Sequence, residues 1–193
     1  MQFGSVDRSQ SRSRLFAALP AAVAMLLLAL VAPARADRAP ELDTAELEKL
    51  QVDAGNPLVF HTYAAGVQIY KWNGSSWAFV GPEAVLFADA DGQAVVGIHY
   101  ASAGPIAGPT WESASGSKVI ASALERVIVD PASIPWLKLG ALVSSGPGTF
   151  DGVKFIQRVN TTGGTAPSAP GSFVGEEARV PYTAEYYFYK GRP

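Results

Sequence analysis

The sequence contains no cysteine. Disulfides, zinc–thiolate centres and thiol nucleophiles are therefore excluded, and stability must come from the packed core. Histidine is almost absent as well: His61 and His99 are the two imidazoles in 193 residues. A hydrolase triad would have to draw its base from that pair. No Gly-x-Ser-x-Gly elbow accompanies them; Ser113, Ser115 and Ser117 lie near His99 in sequence, but beside glycine, as turn serines do. No run of Lys and Arg follows Arg38. That argues against a nucleic-acid partner, because neutralising phosphates takes a concentrated basic surface. A helical repeat between the apolar runs is missing too, as is any glycine-rich turn joining a strand to a helix. Nucleotide-binding α/β folds are thereby excluded.

The N-terminus has a different texture. Arg8, Arg12 and Arg14 precede an uncharged apolar run from Leu15 to Val31, and Ala34-Arg35-Ala36 supplies a small-x-small cleavage site. A 17-residue run broken by Pro20 would reach about 25 Å as a helix, short of the ~30 Å hydrocarbon core, so a cleaved signal is expected rather than a membrane anchor. Twin arginines are absent, which favours export in the unfolded state. The expectation is a signal peptide over 1–36, no membrane span after its removal, and a secreted protein, extracellular or periplasmic. Four of the 15 basic and one of the 17 acidic residues precede Asp37, so the remainder carries 11 basic and 16 acidic residues, a net charge of −5.

Residues 37–56 form a polar lead-in, in which Asp43-Thr44-Ala45-Glu46 can cap a short helix reaching about Gln51. From Pro57 onward, runs rich in Val, Ile, Phe, Tyr and Trp alternate with Gly, Pro, Asn, Asp and Ser clusters, the pattern of strands and turns. Strands are expected near 57–63, 66–72, 76–80, 83–88, 94–100, 117–129, 136–144, 152–160 and 179–190. Asn73-Gly74 and Ala90-Asp91-Gly92 read as hairpin turns, since glycine accepts positive φ without a Cβ clash. Residues 57–193 thus predict an all-β domain, a single antiparallel β-sandwich or distorted barrel of about nine strands behind a short N-terminal helix. Tyr186, Tyr187, Phe188 and Tyr189 place rings on both faces of one strand, which must be central or border a binding surface. Trp77, Trp111 and Trp136 read as core anchors. Two Gly/Pro-rich stretches, 101–109 and 161–175, read as rim loops, where binding residues tend to sit.

Several blocks occur in series: GVQIY (66–70), WAFVGPEAVL (77–86), GIHY (97–100), GPTWE (108–112), GSKV (116–119), IPWL (134–137), IQRVNTTGGTAP (156–167) and VPYTAEYYFY (180–189). In this order they resemble the family of small exported bacterial and fungal proteins known as domain of unknown function 3455, over about residues 57–190. The resemblance implies no activity, the family being uncharacterised; a malate dehydrogenase label on some fungal members finds no support in these residues. Relatives usually have one cysteine after GVQIY and another after GGxAP, where this chain has Lys71-Trp72 and Ser168–Ser172. Joint loss of the two is what a disulfide pair implies, and it would put the loop after Pro167 near Trp72.

The residues that carry chemistry are few. A metal site could draw on His61, His99, Glu83 and Glu112, although no His-x-His or His-Glu-x-x-His spacing is present. A glycosidase needs two carboxylates about 5–10 Å apart, for which Glu83 and Glu112 are the candidates; a Glu112–Lys118 ion pair is the plainer alternative. A Glu beside a Trp also suits a sugar, whose apolar face stacks on the ring. The expected site gathers Gln68, Glu83, His99, Trp111, Glu112 and Lys118 around a small-molecule or carbohydrate ligand, with no metal, cofactor or catalytic residue assigned. The leading expectation is a non-enzymatic, exported ligand-binding or envelope-associated domain. The alternatives are a metal-dependent enzyme using His99 with Glu83 or Glu112, and a purely structural surface protein.

Overall fold

The computed structural model describes residues 38–191 together with Met1. The rest of the expected signal segment, including its cleavage site, lies outside the described residues. Eight strands follow one another: β1 (Leu58–Trp72), β2 (Trp77–Phe87), β3 (Val95–Ser102), β4 (Gly108–Ser113), β5 (Lys118–Val127), β6 (Trp136–Ser145), β7 (Val153–Gly163) and β8 (Glu177–Lys190). Each pairs antiparallel with the next, and β8 returns to β1, closing a barrel. Closure removes every sheet edge, the exposed template that an open sheet must protect.

Of the two architectures expected, sandwich or distorted barrel of about nine strands, the chain forms the barrel, closed and of eight strands, and the difference in count has local reasons. The runs 57–63 and 66–72 are one strand, continuous through Gly66. That glycine is needed by close approach: a Cβ there would lie 2.2 Å from the carbonyl oxygen of Glu83 on β2. The runs 76–80 and 83–88 also merge, through Gly81 and Pro82, which pair with Ile69 and Gln68. In the other direction, β4 begins at the end of the stretch 101–109 that reads as a Gly/Pro loop and runs on to Ser113, where no strand is expected. The expected N-terminal helix is a single 3-10 turn, Leu47–Leu50, begun by the Leu47 N–H donating to Thr44 Oγ1 at 3.3 Å.

Side chains alternate between the interior and the outer face, as the two-residue period of a strand requires. Inside, Ala64, Leu86, Trp111, Val119, Leu139, Ile156, Tyr186 and Phe188 belong to one core. Outside, Val52 of the lead-in packs with Val159, Tyr187 and Tyr189, while Leu47 and Leu50 pack on Val127. The rings on both faces of β8 are thus explained: Tyr186 and Phe188 fill the barrel, and Tyr187 and Tyr189 lie under the lead-in. Gln157 fastens that cover by donating to the Leu50 carbonyl oxygen at 2.6 Å. Full burial of such a ring contributes about 1.5–3 kcal/mol.

The two ends of the barrel differ. At the end reached by the β6–β7 connection, Phe150 is fully buried against Phe188 and Phe60, with ring centroids 4.9 and 6.1 Å away. The opposite end carries the β1–β2, β3–β4, β5–β6 and β7–β8 connections, and it is not filled.

Candidate functional site

That unfilled end leads into a cavity of about 620 Å³, within the size range of small-molecule sites. Its wall is mostly apolar: Val80, Pro82, Ala101, Pro109, Ile134, Leu137 and Leu139 face it. Phe79, Val80 and Ile106 are exposed at this end and make the entrance apolar.

Into this wall the strands set a few polar groups. Gln68 (β1), His99 (β3), Trp111 (β4), Arg158 (β7) and Tyr186 (β8) line the cavity. Gln68 Nε2, the Trp111 indole N–H and the Tyr186 hydroxyl are buried without a hydrogen-bond partner in the protein. The Tyr182 hydroxyl is buried in the same way, and it lies near enough to Tyr186 and Gln68 for each to influence its ionisation. A buried polar group left unpaired costs about 1–3 kcal/mol.

His99 stacks on Trp111 with centroids 4.3 Å apart and planes at 17°, and meets Tyr186 edge-on at 5.1 Å. Its Nδ1 lies 2.8 Å from the Thr110 carbonyl oxygen. A carbonyl can only accept, so Nδ1 carries the proton and Nε2 keeps its lone pair. Burial drives the imidazolium form down to about pKa 3, with Arg158 pushing the same way and the Thr110 bond opposing. His99 is therefore neutral at physiological pH. Burial likewise pushes the Tyr182 and Tyr186 hydroxyls up, so both remain protonated donors.

The loops at the open end are built for close approach. Gly163 and Gly164 have φ of 64° and 78°. A Cβ on Gly164 would crowd Tyr182, Gln68 and Ile134 at 2.9–3.0 Å, and the Gly164 carbonyl accepts from Tyr70 OH at 2.7 Å. In the β5–β6 connection the Asp130 carboxylate accepts from the Ala132 N–H and the Ser133 hydroxyl at 2.9 and 2.8 Å. This turn sets Ile134 and Pro135 on the cavity wall. The loop after Pro167 lies against Trp72: a Cβ on Gly171 would meet that ring at 2.5 Å, and Trp77 Nε1 donates to the Ala169 carbonyl at 2.8 Å. The neighbourhood implied by the absent cysteine pair is therefore present, occupied by an indole.

The six expected site residues do not form one cluster. Gln68, His99 and Trp111 line the interior, whereas Glu83, Glu112 and Lys118 are absent from that lining and sit on the outer face. There Glu112 pairs with Lys118 at 3.3 Å and accepts from Tyr100 OH at 2.7 Å. Tyr100, through its hydrogen bond, contributes most to holding the Glu112 carboxyl below its ordinary range. Glu83 pairs with Arg179 at 2.8 Å. Adjacent strand residues point to opposite faces, and Glu112 follows the inward Trp111 directly, so one ligand cannot touch both.

The expected metal ligands separate in the same way. His61 faces outward, bonded to Glu185 Oε2 at 3.0 Å and stacked on Tyr187, while His99 is inside. Among the described residues no group of three or more His, Asp or Glu side chains is placed to hold a metal ion. Of the tryptophans, Trp111 is buried, Trp136 and Trp77 only partly. The serine trio bonds within itself, Ser113 Oγ to Ser115 Oγ at 2.9 Å and to Ser117 Oγ at 2.8 Å, and Ser117 Oγ accepts the Phe150 N–H.

Sequence reasoning passed over Arg158. Its signal was available: Ile156 and Arg158 share a strand face, so a guanidinium sits where an apolar side chain is due. Tyr70 was overlooked, and Tyr186 was noted only as one ring of a two-faced strand, since aromatic residues on a strand look like ordinary core.

No curated protein and no solved structure matches the chain. Residues 53–190 match the family described as "Protein of unknown function (DUF3455)". With most of its length, and all eight strands of the barrel, inside that match, the chain belongs to this family.

Proposed function

We propose that this protein is an exported binding barrel that holds a small, largely apolar molecule in its interior and does no chemistry on it. One observation carries the reading: a cavity of about 620 Å³ is walled by apolar side chains and studded with buried donors that find no partner in the protein. A ligand acceptor placed there would relieve a desolvation cost that folding alone leaves standing. The lining includes no carboxylate, so His99 faces no orienting acid of the kind a triad uses.

Titration with 1-N-phenylnaphthylamine, which fluoresces in apolar surroundings, tests the cavity. The expected result is saturable one-to-one binding by the wild type, abolished when Ala123→Trp fills the wall while the far-ultraviolet spectrum is unchanged. Absence of saturable binding by the wild type would sink the reading. Export rests on the pattern of residues 1–36 and has its own check. N-terminal sequencing of the protein recovered outside the producing cytoplasm should begin at Asp37; a mature chain retaining Leu15–Val31 would refute it.

A further inference from the structure

We propose that the interior ligand carries a carboxylate, and that Arg158 is the residue that receives it. This rests on the cavity-binding reading and narrows it to small apolar carboxylic acids.

The charges of the cavity wall are one-sided. Its lining includes Arg158 and Arg126 but no Asp or Glu, and among the described residues no carboxylate lies within ion-pair distance of either arginine. The domain outside the expected signal segment has more acidic than basic residues, so the imbalance is local. Arg158 points inward from β7, opposite Leu137 on β6 and Tyr186 on β8, both cavity-lining positions. Its positive field reaches across the space: it pulls down the pKa of Tyr70, His99, Tyr182 and Tyr186. A partly buried cation with no carboxylate beside it is costly, and pairing is the usual remedy.

The guanidinium is also held in a fixed pose with one edge free of any carboxylate. Nε and Nη2 both donate to the Pro135 carbonyl oxygen, at 3.1 and 2.8 Å. That fork uses the side edge of the planar group. The end edge, made by Nη1 and the second Nη2 hydrogen, lies outside that fork and meets no carboxylate among the described residues; the Tyr186 hydroxyl is close enough to the guanidinium to interact with it, and the two parallel N–H vectors of that edge match the two oxygens of a carboxylate. Pro135 thus acts as a positioning residue for the arginine. Beyond the guanidinium, the partnerless Gln68 amide, Trp111 indole N–H and Tyr186 hydroxyl are further donors on the same wall. His99 contributes no competing charge, being neutral. The apolar remainder of the wall and the exposed Phe79 and Val80 at the entrance suit the ligand's hydrocarbon body.

The test compares 2-naphthoate with 2-naphthamide, which share shape and differ in charge, by isothermal titration calorimetry. Wild-type protein should bind the naphthoate about 10- to 100-fold more tightly, the size of effect expected when a charge-assisted bidentate contact is present in one complex only. Arg158→Gln should remove that preference and leave naphthamide affinity within about threefold. Arg158→Lys should restore part of it, since charge returns without the fork. Equal wild-type affinities for the two probes, or equal weakening of both by Arg158→Gln, would overturn the carboxylate assignment. Should both naphthalene probes fail while phenylnaphthylamine binds, the carboxylate assignment falls and the cavity reading survives. Failure of all three overturns both.

Discussion

A Phe150→Ala chain should be about 3–5 kcal/mol less stable than the wild type, with a midpoint of thermal unfolding lower by roughly 6–20 °C. Phe150 is fully buried although it belongs to a connection and not a strand. It closes one end of the barrel, packed on Phe188 and Phe60. Truncation would leave a void the size of a ring, and the neighbourhood has little freedom to collapse into it. The Phe150 N–H donates to Ser117 Oγ, and its carbonyl accepts from Ser144 Oγ, which tie the loop to the β4–β5 turn and to β6. These backbone contacts persist in the alanine variant, so the cavity persists with them, and the cost belongs at the upper end of core truncations. Phe79→Ala supplies the contrast: that ring is 57% exposed at the open end, and its loss should cost under about 1 kcal/mol. Urea or thermal unfolding of the two variants checks the pair. A Phe150→Ala penalty no larger than that of Phe79→Ala would mean that the ring does not close the barrel.

This plug also shows where sequence reasoning stops. Composition and alternation were enough for an all-β domain, because the period of two and the turn clusters are local properties. Closure was not local. It depends on β8 finding β1 across the whole chain, and on glycines whose role is to let another backbone pass. The runs therefore read as broken just before Gly66 and at Gly81, though Gly66 and Gly97 are where a neighbouring strand's backbone comes closest. Half of the candidate site was legible for a related reason. Gln68, His99 and Trp111 were singled out as polar or aromatic residues within strand runs, but a sequence shows which face a residue takes only relative to its neighbours. Glu112 is adjacent to Trp111 and so had to face the other way; grouping the two ignored the alternation. Arg158 was lost because a lone charge in an apolar strand is read as solvent-facing unless its register is followed. The blocks by which the chain resembles its family supply Gln68, Tyr70, His99, Trp111, Ile134, Arg158 and Tyr186. All of these face the cavity, which only the closed barrel makes visible.

Acid should destabilise the folded chain before its carboxylates begin to protonate. Burial holds the His99 imidazolium at a pKa of about 3 in the folded barrel, against about 6.5 for an unfolded histidine. Below pH 6.5 the unfolded chain takes up a proton that the native chain refuses, so stability falls as pH drops from there toward 3 and is fully present only above it. Between pH 8 and pH 5 the loss should be about 2 kcal/mol. The carboxylates of Asp89, Asp130, Glu112 and Glu185 are held low by their hydrogen bonds. They act in the same direction, but only as pH falls through their unfolded values near 4, which places their effect below the window of His99. The neighbours that face this ring explain why it stays neutral: Trp111 and Tyr186 offer no negative charge, and Arg158 opposes a second positive one. Urea unfolding at pH 8, 6.5, 5.5 and 5 measures the slope, and His99→Gln, which keeps a donor for the Thr110 carbonyl, should flatten it whatever its absolute stability. A wild-type curve already flat over that range, or an unchanged slope in His99→Gln, would show that the ring accepts its proton in the folded state. The cavity would then contain a further cation beside Arg126 and Arg158, and the reading of His99 as contributing no competing charge would have to be abandoned with it.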